Sequence, residues 1–424
     1  MSTSLPAGAL VDLERPVTIS FEGKSIPALA GQSIAAALYA GGMRVFTRSF
    51  KYHRPRGLFC VAGECPNCLM HVDGRPNVRT CIEPARDGQV VRHQNAWPSL
   101  EWDALHIFDK LDRFLPVGFY YKRFHKPRWL WPVFEHVVRH IAGLGRVDVH
   151  HQVYEETEIE HLHTDLCVIG GGPAGSAAAM TAHKYGARVL VLERQARLGG
   201  HRLYDSADGK ADTFMPPQLD PNIKVLVNTT AFGLYEENLI GAFTDNRLLK
   251  IRAKQVVVCT GSRQQPLLFH NNDLPGIFLG DGVQRLARFY GVPAGGRAVV
   301  VTDNDEGQQL AQHLLDLGME VAAVVDARRE VQPRSPDAPW PTFPSHIVVR
   351  ALGKTHLKGV CIARREEKGE IGQRAPQTIA CDLLCLVGTR QPANELLLQA
   401  GLRFQREGGR WTPDRQIPGL WAAG

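Results

Sequence analysis

Alternation of apolar and polar residues near the start of the chain predicts a small sheet. "VTISFEGKSIPAL" alternates with a period of two around Glu22-Gly23, which is typical of a β-hairpin. "GQSIAAALYAGG" follows as a short helix with Ser33 at its N-cap, and "LMHVDGRPNV" predicts a second hairpin around Asp73-Gly74. Two hairpins around one helix indicate a β-grasp-like module.

The pattern changes from residue 165 onward. Short apolar runs such as "DLCVIGGG", "ARVLVLE", "QVVVCTG", "RAVVVTDN", "MEVAAVVDA" and "DLLCLVG" are separated by helical stretches. Buried strands alternating with helices are typical of a parallel α/β sheet. Two βαβ segments are predicted, beginning near residues 165 and 297.

These patterns divide the chain into three predicted domains. Residues 1–96 form the β-grasp-like module, 97–160 a connector of short helices, and 161–424 the α/β domain, with the second βαβ segment inserted at about 290–380. The connector is rich in aromatic residues, which either pack between domains or form the core of their own subdomain. They are Trp97, Trp102, Phe108, Phe114, Phe119, Tyr120, Tyr121, Trp129, Trp131 and Phe134.

Composition narrows the class of protein. At 424 residues the chain has room for two or three cores, and 44% hydrophobic with 22% charged residues is ordinary for a globular protein. The net charge of +6 is mostly scattered, so nucleic acid is not an expected partner. Without a leader pattern or an apolar run of 18 residues, we expect a cytoplasmic protein with no membrane span. The strand-like end "IPGLWAAG" leads us to expect a chain truncated at residue 424.

The cysteines supply the first candidate chemistry. Four of the nine follow the spacing C-x4-C-x2-C-x12-C, at Cys60, Cys65, Cys68 and Cys81. Thiolates are soft ligands, and three on one loop with a distant fourth is the plant-type [2Fe–2S] spacing. Structural zinc, which more often uses two C-x2-C pairs, and free thiols are the alternatives. The other five cysteines lie mostly in apolar strands and are expected to be packing residues.

A glycine-rich turn opens the first βαβ segment. Gly170, Gly172 and Gly175 form G-x-G-x-x-G after a strand, which permits the tight turn, the approach of a pyrophosphate and close helix packing. Glu193 ends the next strand, 18 residues after Gly175, where a carboxylate would hold ribose hydroxyls and disfavour NADP. The pattern does not choose between FAD and NAD. The adjoining residues expected at the same site are Pro173, Ala174 and Arg194.

The second βαβ segment lacks those glycines. Its turn reads "TDNDEG" over residues 302–307, and three carboxylates there would repel a pyrophosphate. We therefore expect no NAD(P)H at this turn, and electrons must reach the chain from another source.

A basic segment, "RSFKYHRPRG", precedes the cysteines. Its cations and histidine are either a solvated surface or a site for a flavin phosphate or a partner subunit. Phe50 and Tyr52 favour an interface over a free surface. The residues in question are Arg48, Lys51, His53, Arg54 and Arg56.

Several stretches together carry a family resemblance. "SFKYHRPRG", "QNAWPSLEWD", "FLPVGFYYK", "NNDLPGIFLGDGVQRLARFYGV" and "AAVVDARR" resemble the α subunit of heterotetrameric sarcosine oxidase, from about residue 15 to the end. Because all four cluster cysteines are present, the chain is more similar to the iron–sulfur relatives of that subunit. Those relatives are hydroxyproline and proline dehydrogenase, opine oxidase and hydrogen cyanide synthase subunits.

The resemblance implies a fold, cofactors and partners. It implies a ferredoxin-like [2Fe–2S] domain followed by a flavoprotein fold with two Rossmann-like dinucleotide-binding domains. The glycine-rich site would hold FAD, or NAD as in sarcosine oxidase, and FMN would lie at a subunit interface. Further cofactor contacts are expected from Gly199, Gly200, Ala231, Thr260 and Gly261.

The resemblance also implies a heteromeric oxidoreductase acting on CH–NH groups. A β subunit carrying FAD would oxidise a secondary amine, and electrons would pass through this chain's flavin and cluster to a downstream acceptor. Further small subunits and a folate-binding C-terminal half, which is missing here, are expected partners. The alternatives are a non-catalytic scaffold holding zinc or structural NAD, and an NAD(P)H-dependent iron–sulfur flavoprotein reductase.

Overall fold

The structure, a computed structural model, describes most of the chain as two compact units. The described residues are 9–111, 118, 126–145, 157–205, 217–331, 338–366, 372, 375–407 and 410–424. The first unit combines the described parts of 1–150 and 265–389, and the second those of 151–264 and 390–424. The chain therefore leaves the first unit for the second, returns to the first and ends in the second.

The N-terminal module of the first unit is a mixed sheet with one helix against it. Its strand order is β2-β1-β7-β5-β6, with β1 and β7 parallel and both hairpins antiparallel, while β3 and β4 pair separately. Its elements are β1 (Asp12–Phe21), β2 (Lys24–Ala30), α1 (Ile34–Ala40), β3 (Thr47–Arg48), β4 (Pro55–Arg56), β5 (Leu69–Val72), β6 (Arg75–Arg79) and β7 (Val90–Arg92).

Local residue choice explains the module. Glu22-Gly23 and Asp73-Gly74 all have positive φ, between 49° and 80°, which is the turn geometry that matches the twist of a two-residue hairpin. The Ser33 hydroxyl accepts the N–H three residues on at 3.2 Å and caps α1. Both predicted hairpins and the predicted helix are present.

Two helices follow the module. They are α2 (Ile107–Lys110), preceded by a 3-10 turn at Ala104–His106, and α3 (Leu130–Ala142). Trp97, Trp102 and Trp129 are exposed in this chain. That the segment packs between domains stays a prediction. Four of its aromatic residues lie outside the described residues, namely Phe114, Phe119, Tyr120 and Tyr121.

The second unit begins with the first βαβ segment, β8-α4-β9. A parallel core, β10-β9-β8-β13, continues into an antiparallel meander, β13-β12-β11. The elements are β8 (Glu158–Ile169), α4 (Pro173–Lys184), β9 (Val189–Leu192), β10 (Lys224–Leu226), β11 (Thr229–Tyr235), β12 (Leu239–Thr244), β13 (Arg247–Val258) and β14 (Ser262–Gln264).

The chain then adds the second βαβ segment, β16-α6-β17, to the first unit. Its sheet has the order β15-β22-β16-β17-β18 with every pair parallel, and β19-β20-β21 form a separate antiparallel sheet. The elements are β15 (Ile277–Leu279), α5 (Gly280–Tyr290), β16 (Arg297–Thr302), α6 (Glu306–Asp316), β17 (Glu320–Asp326), β18 (Thr342–Pro344), β19 (His346–Leu352), β20 (Gly359–Arg364), β21 (Gln377–Ala380) and β22 (Leu383–Val387).

The last segment completes the second unit. β26 (Leu420–Ala422) pairs in parallel with the end of β13 and so adds a strand to the parallel part of this sheet. The elements are β23 (Arg390–Pro392), α7 (Glu395–Gln399), β24 (Phe404–Glu407), β25 (Arg410–Pro413) and β26 (Leu420–Ala422). None of the helices in the described part of the chain combines the length and hydrophobicity that crossing a bilayer requires.

The N-terminal module and the second βαβ segment share one hydrophobic core. Phe46 and Met70 from the module belong to the same buried cluster as Val300 of β16 and Leu310 of α6. The sequence predicts one α/β domain over residues 161–424 with the second βαβ segment inserted, and these bounds stay a prediction. In the structure the described residues of that segment form a compact unit with the N-terminal module. Local patterns could not predict this pairing, because it depends on which faces pack together.

Candidate functional site

The four motif cysteines lie at one end of the N-terminal module. Cys60, Cys65 and Cys68 occupy the loop between β4 and β5, and Cys81 follows β6. Because Leu69 pairs with Arg79 across the hairpin, the residues just beyond that pair come together. The hairpin therefore carries the distant fourth cysteine back to the loop, as the sequence spacing requires.

The thiols contact one another in a buried group. Cys60 is hydrogen-bonded to Cys65 and Cys81, and Cys68 is hydrogen-bonded to Cys81. The hydrogen bonds among these thiols lower the pKa of Cys60 and of Cys68 and raise the pKa of Cys65 and of Cys81. Only Cys65 is partly exposed. Two of the four sulfurs, Cys60 and Cys68, are thus stabilised as thiolates, the form that binds metal.

Backbone N–H groups point at the sulfur atoms. The N–H of Gly63 donates to Cys81 Sγ at 3.2 Å, and the N–H of Glu64 donates to Cys60 Sγ at 3.4 Å. Gly63 has φ +70°, and a Cβ there would lie 2.7 Å from the side chain of Ile82. The positive φ favours glycine at this turn, and the N–H groups of the turn stabilise negative charge on sulfur.

This donor set fits a [2Fe–2S] cluster. Four soft thiolates, largely buried and with N–H groups aimed at sulfur, are the ligands that such a cluster takes. Among the described residues, no group of three or more His, Cys, Asp or Glu side chains, these cysteines included, has the arrangement that holds a metal ion, so the fit rests on the type, spacing and burial of the ligands.

Glycine is obligatory at two positions of the first βαβ segment. Gly170 has φ +107°, and a Cβ there would lie 2.2 Å from the carbonyl oxygen of Cys259. A Cβ at Gly175 would lie 1.9 Å from the carbonyl oxygen of Gly170. The turn and the close helix packing predicted for these glycines are both present. Gly172, by contrast, faces open space, with nothing nearer to a Cβ than 3.9 Å.

Glu193 lies beside this turn, where the strand pattern placed it. Its carboxylate accepts the N–H of Gly171 at 2.7 Å and the N–H of Gln195 at 2.8 Å, and the residue is buried. Each carboxylate oxygen has a lone pair left to accept a hydrogen bond from a ribose hydroxyl. Ribose binding by Glu193 stays a prediction. Sequence reasoning missed Gly171, whose N–H orients the carboxylate and whose Cβ would meet Leu198 at 2.2 Å.

Most of the other predicted contacts lie near the same turn. Gly200 approaches the turn, since a Cβ on it would lie 3.1 Å from Gly172 Cα, and the N–H of its neighbour Gly199 donates to the carbonyl of Gly171. Thr260 follows Cys259, against which Gly170 packs. The hydroxyl of Thr260 donates to the carbonyl of Ala393 at 2.7 Å.

The remaining predicted residues differ in their surroundings. Gly261 hydrogen-bonds the N–H of Ala393 through its carbonyl, Pro173 is the first residue of α4, and Arg194 is exposed. Ala231 pairs with Ala242 in the meander. A Cβ at Gly424 would lie 3.3 Å from the side chain of Ala174, so the end of the chain returns to the start of α4. Their contact with a cofactor stays a prediction.

The acidic turn of the second βαβ segment is satisfied by the protein's own groups. Arg328 Nη1 contacts Asp305 Oδ1 at 2.7 Å, and Arg328 Nη2 contacts Asp326 Oδ2 at 2.8 Å. The Asn304 side chain accepts the N–H of Glu306 at the start of α6. Sequence reasoning missed Arg328, which follows β17 and contacts both Asp305 and Asp326.

The basic segment is divided between buried and exposed side chains. Arg48 is buried and donates to the carbonyls of Leu100 and Glu101. His53 is buried against Asp103, with Nδ1 and Oδ2 2.7 Å apart. These two residues therefore hold the segment in place, which differs from a fully solvated basic loop.

Two other arginines of the segment have a common partner. Arg54 and Arg56 pair with Asp273 at 2.8 and 3.3 Å and remain about one-third exposed. Phe50 is half exposed in this chain. Whether this surface binds a flavin phosphate or a partner stays a prediction.

Comparison with known protein families places these sites in context. Residues 164–424 match the family described as pyridine nucleotide-disulphide oxidoreductase, and residues 14–96 match the 2Fe-2S iron-sulfur cluster binding domain. The chain belongs to the pyridine nucleotide-disulphide oxidoreductase family and carries an N-terminal 2Fe-2S domain. The predicted fold class, a 2Fe-2S domain followed by a fold with two Rossmann domains, is confirmed.

Within that class the chain is a homologue of sarcosine oxidase subunit alpha. It is 39% identical to that subunit from Rhizobium meliloti (strain 1021) over 356 residues, which covers 77% of this chain and 36% of the relative. The predicted resemblance is confirmed. The chain spans well under half the length of the sarcosine oxidase subunits it matches.

Two further proteins resemble parts or all of the chain. Hydrogen cyanide synthase subunit HcnA of Pseudomonas aeruginosa is 34% identical over 79 residues, covering 19% of this chain and 75% of the relative. The crystal structure of L-proline dehydrogenase from P. horikoshii aligns with a TM-score of 0.66 over 97% of this chain and 68% of that chain, at 22% identity. The latter likeness supports the fold.

Proposed function

We propose that the chain is the α-type subunit of a heteromeric oxidoreductase that acts on a secondary amine or amino acid. The group of four cysteine thiols carries the proposal, because it provides a complete ligand set for a one-electron centre. The names of the relatives support it, since sarcosine oxidase subunit alpha is part of an amine oxidase.

The proposed division of labour follows from the chemistry. Oxidation of a secondary amine to an imine releases two electrons and two protons, which the FAD of a partner β subunit would accept. We propose that the electrons leave for an acceptor through the flavin and [2Fe–2S] centre of this chain. A flavin exchanges two electrons or one and the cluster exchanges one, so the pair would connect amine oxidation to a one-electron acceptor. This favours dehydrogenase behaviour over direct reaction with oxygen.

The residues of the second unit would hold the dinucleotide. Gly172 leaves open space at the start of α4, where the helix N-terminus stabilises a pyrophosphate. Glu193 would accept ribose hydroxyls. We propose FAD at this site, with NAD as the alternative that the same residues would accommodate.

The basic segment is the proposed contact with the partner. Arg54 and Arg56 keep part of their surface exposed, and Phe50 of the same segment is half exposed, a combination that suits a flavin phosphate such as that of FMN at a subunit interface. Buried Arg48 and His53 would hold the segment in position.

The NAD(P)H-dependent reductase is the less favoured function. A second nucleotide would have to displace the contacts of Arg328 with Asp305 and Asp326 and then face carboxylates without a glycine-rich turn. We therefore expect neither NADH nor NADPH to reduce the protein.

One preparation tests the proposal. The protein is purified anaerobically with its β subunit, its spectrum is recorded, and iron, sulfide, zinc, flavin and NAD are assayed. We expect about two irons per chain and flavin bands with a broad shoulder that bleaches when sarcosine or proline is added. A colourless chain containing one zinc would support the scaffold alternative. Centres that stay oxidised with every amine tested, although dithionite bleaches them, would contradict the electron-relay role.

A further inference from the structure

Helix α5 of the first unit lies directly against the cysteine loop. The N–H of Leu279 donates to the carbonyl of Phe59 at 3.1 Å, just before the helix begins. A Cβ at Gly282 would lie 2.4 Å from that same carbonyl oxygen. The helix and the loop are therefore so close that only a glycine fits between them.

Arg285 extends this contact to a cluster ligand. Its Nη1 donates to the carbonyl oxygen of Cys60 at 3.2 Å, and only 11% of its side chain is exposed. Asp281 lies one helical turn earlier with 5% of its side chain exposed, and its Oδ2 is 4.0 Å from Arg285 Nη2. The positive charge of Arg285 is thus held beside Cys60, and the negative charge of Asp281 lies one turn earlier on the same helix.

We propose that Arg285 sets the reduction potential of the [2Fe–2S] centre, opposed by Asp281. The inference rests on the proposed function, because it requires a cluster at the four cysteines. Reduction adds one negative charge to a site from which water is largely excluded. A guanidinium beside that site favours the reduced form and raises the potential, and a nearby carboxylate lowers it.

The position of α5 gives the 265–389 part of the first unit a role. Its own nucleotide turn is occupied by Asp305, Arg328 and Asp326, while α5 supports the cysteine loop. The hydroxyl of Tyr39 in α1 donates to the carbonyl of Ala294 at 2.5 Å, which ties the module to the segment after α5. We infer that in this chain the region supports the cysteine loop.

Redox titration followed by electron paramagnetic resonance tests the inference on the full protein. Arg285→Met removes the charge and keeps the length of the side chain, and Asp281→Asn removes the opposing charge. The matched control is Arg288→Met, which removes an arginine from the same helix. Arg288 interacts electrostatically with Asp316. We expect Arg285→Met to lower the midpoint potential by at least about 59 mV, which for one electron corresponds to a tenfold change in the reduction equilibrium. Asp281→Asn should raise it, and the control should leave it unchanged.

The outcomes separate this inference from the proposed function. Absence of a [2Fe–2S] signal from the unsubstituted protein would contradict the proposed function. A normal signal with an unchanged potential in Arg285→Met would overturn the role of Arg285 alone. Should Arg285→Met fail to fold, Asp281→Asn still decides, because an unchanged or lower potential in that variant would also overturn the inference.

Discussion

Gly175 packs so closely on Gly170 that a Cβ on Gly175 would lie 1.9 Å from the Gly170 carbonyl oxygen. The first turn of α4 is thereby held against the end of β8, in the position from which its N–H groups reach a pyrophosphate. Gly172, three residues earlier, has an unstrained φ of −72° and faces open space. The two glycines therefore have different physical roles.

This difference predicts different effects of the same substitution. Gly175→Ala should lower the free energy of unfolding by at least about 2 kcal/mol, because the helix must move away from the strand. Gly172→Ala should leave stability nearly unchanged but weaken dinucleotide binding about tenfold or more, since its methyl group occupies the space proposed for the pyrophosphate. Urea denaturation of the dinucleotide-free protein and titration with FAD and NAD measure the two effects. Equal loss of stability in both variants would contradict the assignment.

The cysteine ligands can be tested against a cysteine of similar exposure. Cys65→Ser should reduce iron from about two per chain to near zero, because a serine oxygen is a hard ligand that does not replace a thiolate. Cys361→Ser is the control, since Cys361 is also partly exposed and lies in β20, with its Sγ 3.7 Å from Thr378 Oγ1. Iron and sulfide assays of both variants measure whether each still binds the cluster. Normal iron in Cys65→Ser would remove Cys65 from the ligand set.

Features that depend on a few neighbouring residues could be predicted from the sequence. The hairpin at Asp73-Gly74 follows from a residue pair that accepts positive φ, and the start of α1 follows from a serine cap. The cysteine spacing and the glycine turn were visible for the same reason, because each lies within one short segment or one hairpin.

Contacts between distant segments were not predictable. Arg285 and Cys60 are 225 positions apart, and Arg328 reaches Asp305 across α6 and β17. An arginine in a helix has no local pattern that reveals its partner, because the partner is set by packing. Gly171 was missed for another reason, since its role depends on where the Glu193 carboxylate lies.

The arginine at the second turn predicts a stability effect. Asp326 is fully buried, and Arg328 contacts both of its carboxylate oxygens. Arg328→Met should lower the free energy of unfolding by about 3 kcal/mol, because it leaves a buried carboxylate without its cation. Adding Asp326→Asn should recover part of that loss, and a double-mutant cycle in urea measures the coupling. A coupling energy near zero would mean that the pair does not stabilise the turn.

Tyr39 predicts how the stability of the first unit depends on alkaline pH. Its ring packs edge-on against Phe278, its hydroxyl donates to the carbonyl of Ala294, and burial raises its pKa to about 12. In the unfolded chain the phenol ionises near pH 10. The stabilisation is therefore complete below about pH 10 and is lost as pH rises toward 12, at about 1.4 kcal/mol per pH unit.

Tyr39→Phe separates the hydroxyl from the ring. The variant should be about 1 kcal/mol less stable at pH 8, because the hydrogen bond to Ala294 is lost. Above pH 10 its stability should fall less steeply than that of the unsubstituted protein, since one phenol no longer ionises on unfolding.

Tyr290, whose pKa burial also raises to about 12, contributes a second such slope, so Tyr290→Phe should act in the same direction. Urea denaturation at intervals from pH 8 to about pH 11, with tyrosinate absorbance recorded on the same samples, measures both slopes. Parallel curves for the unsubstituted protein and Tyr39→Phe would show that the buried phenol does not control alkaline unfolding.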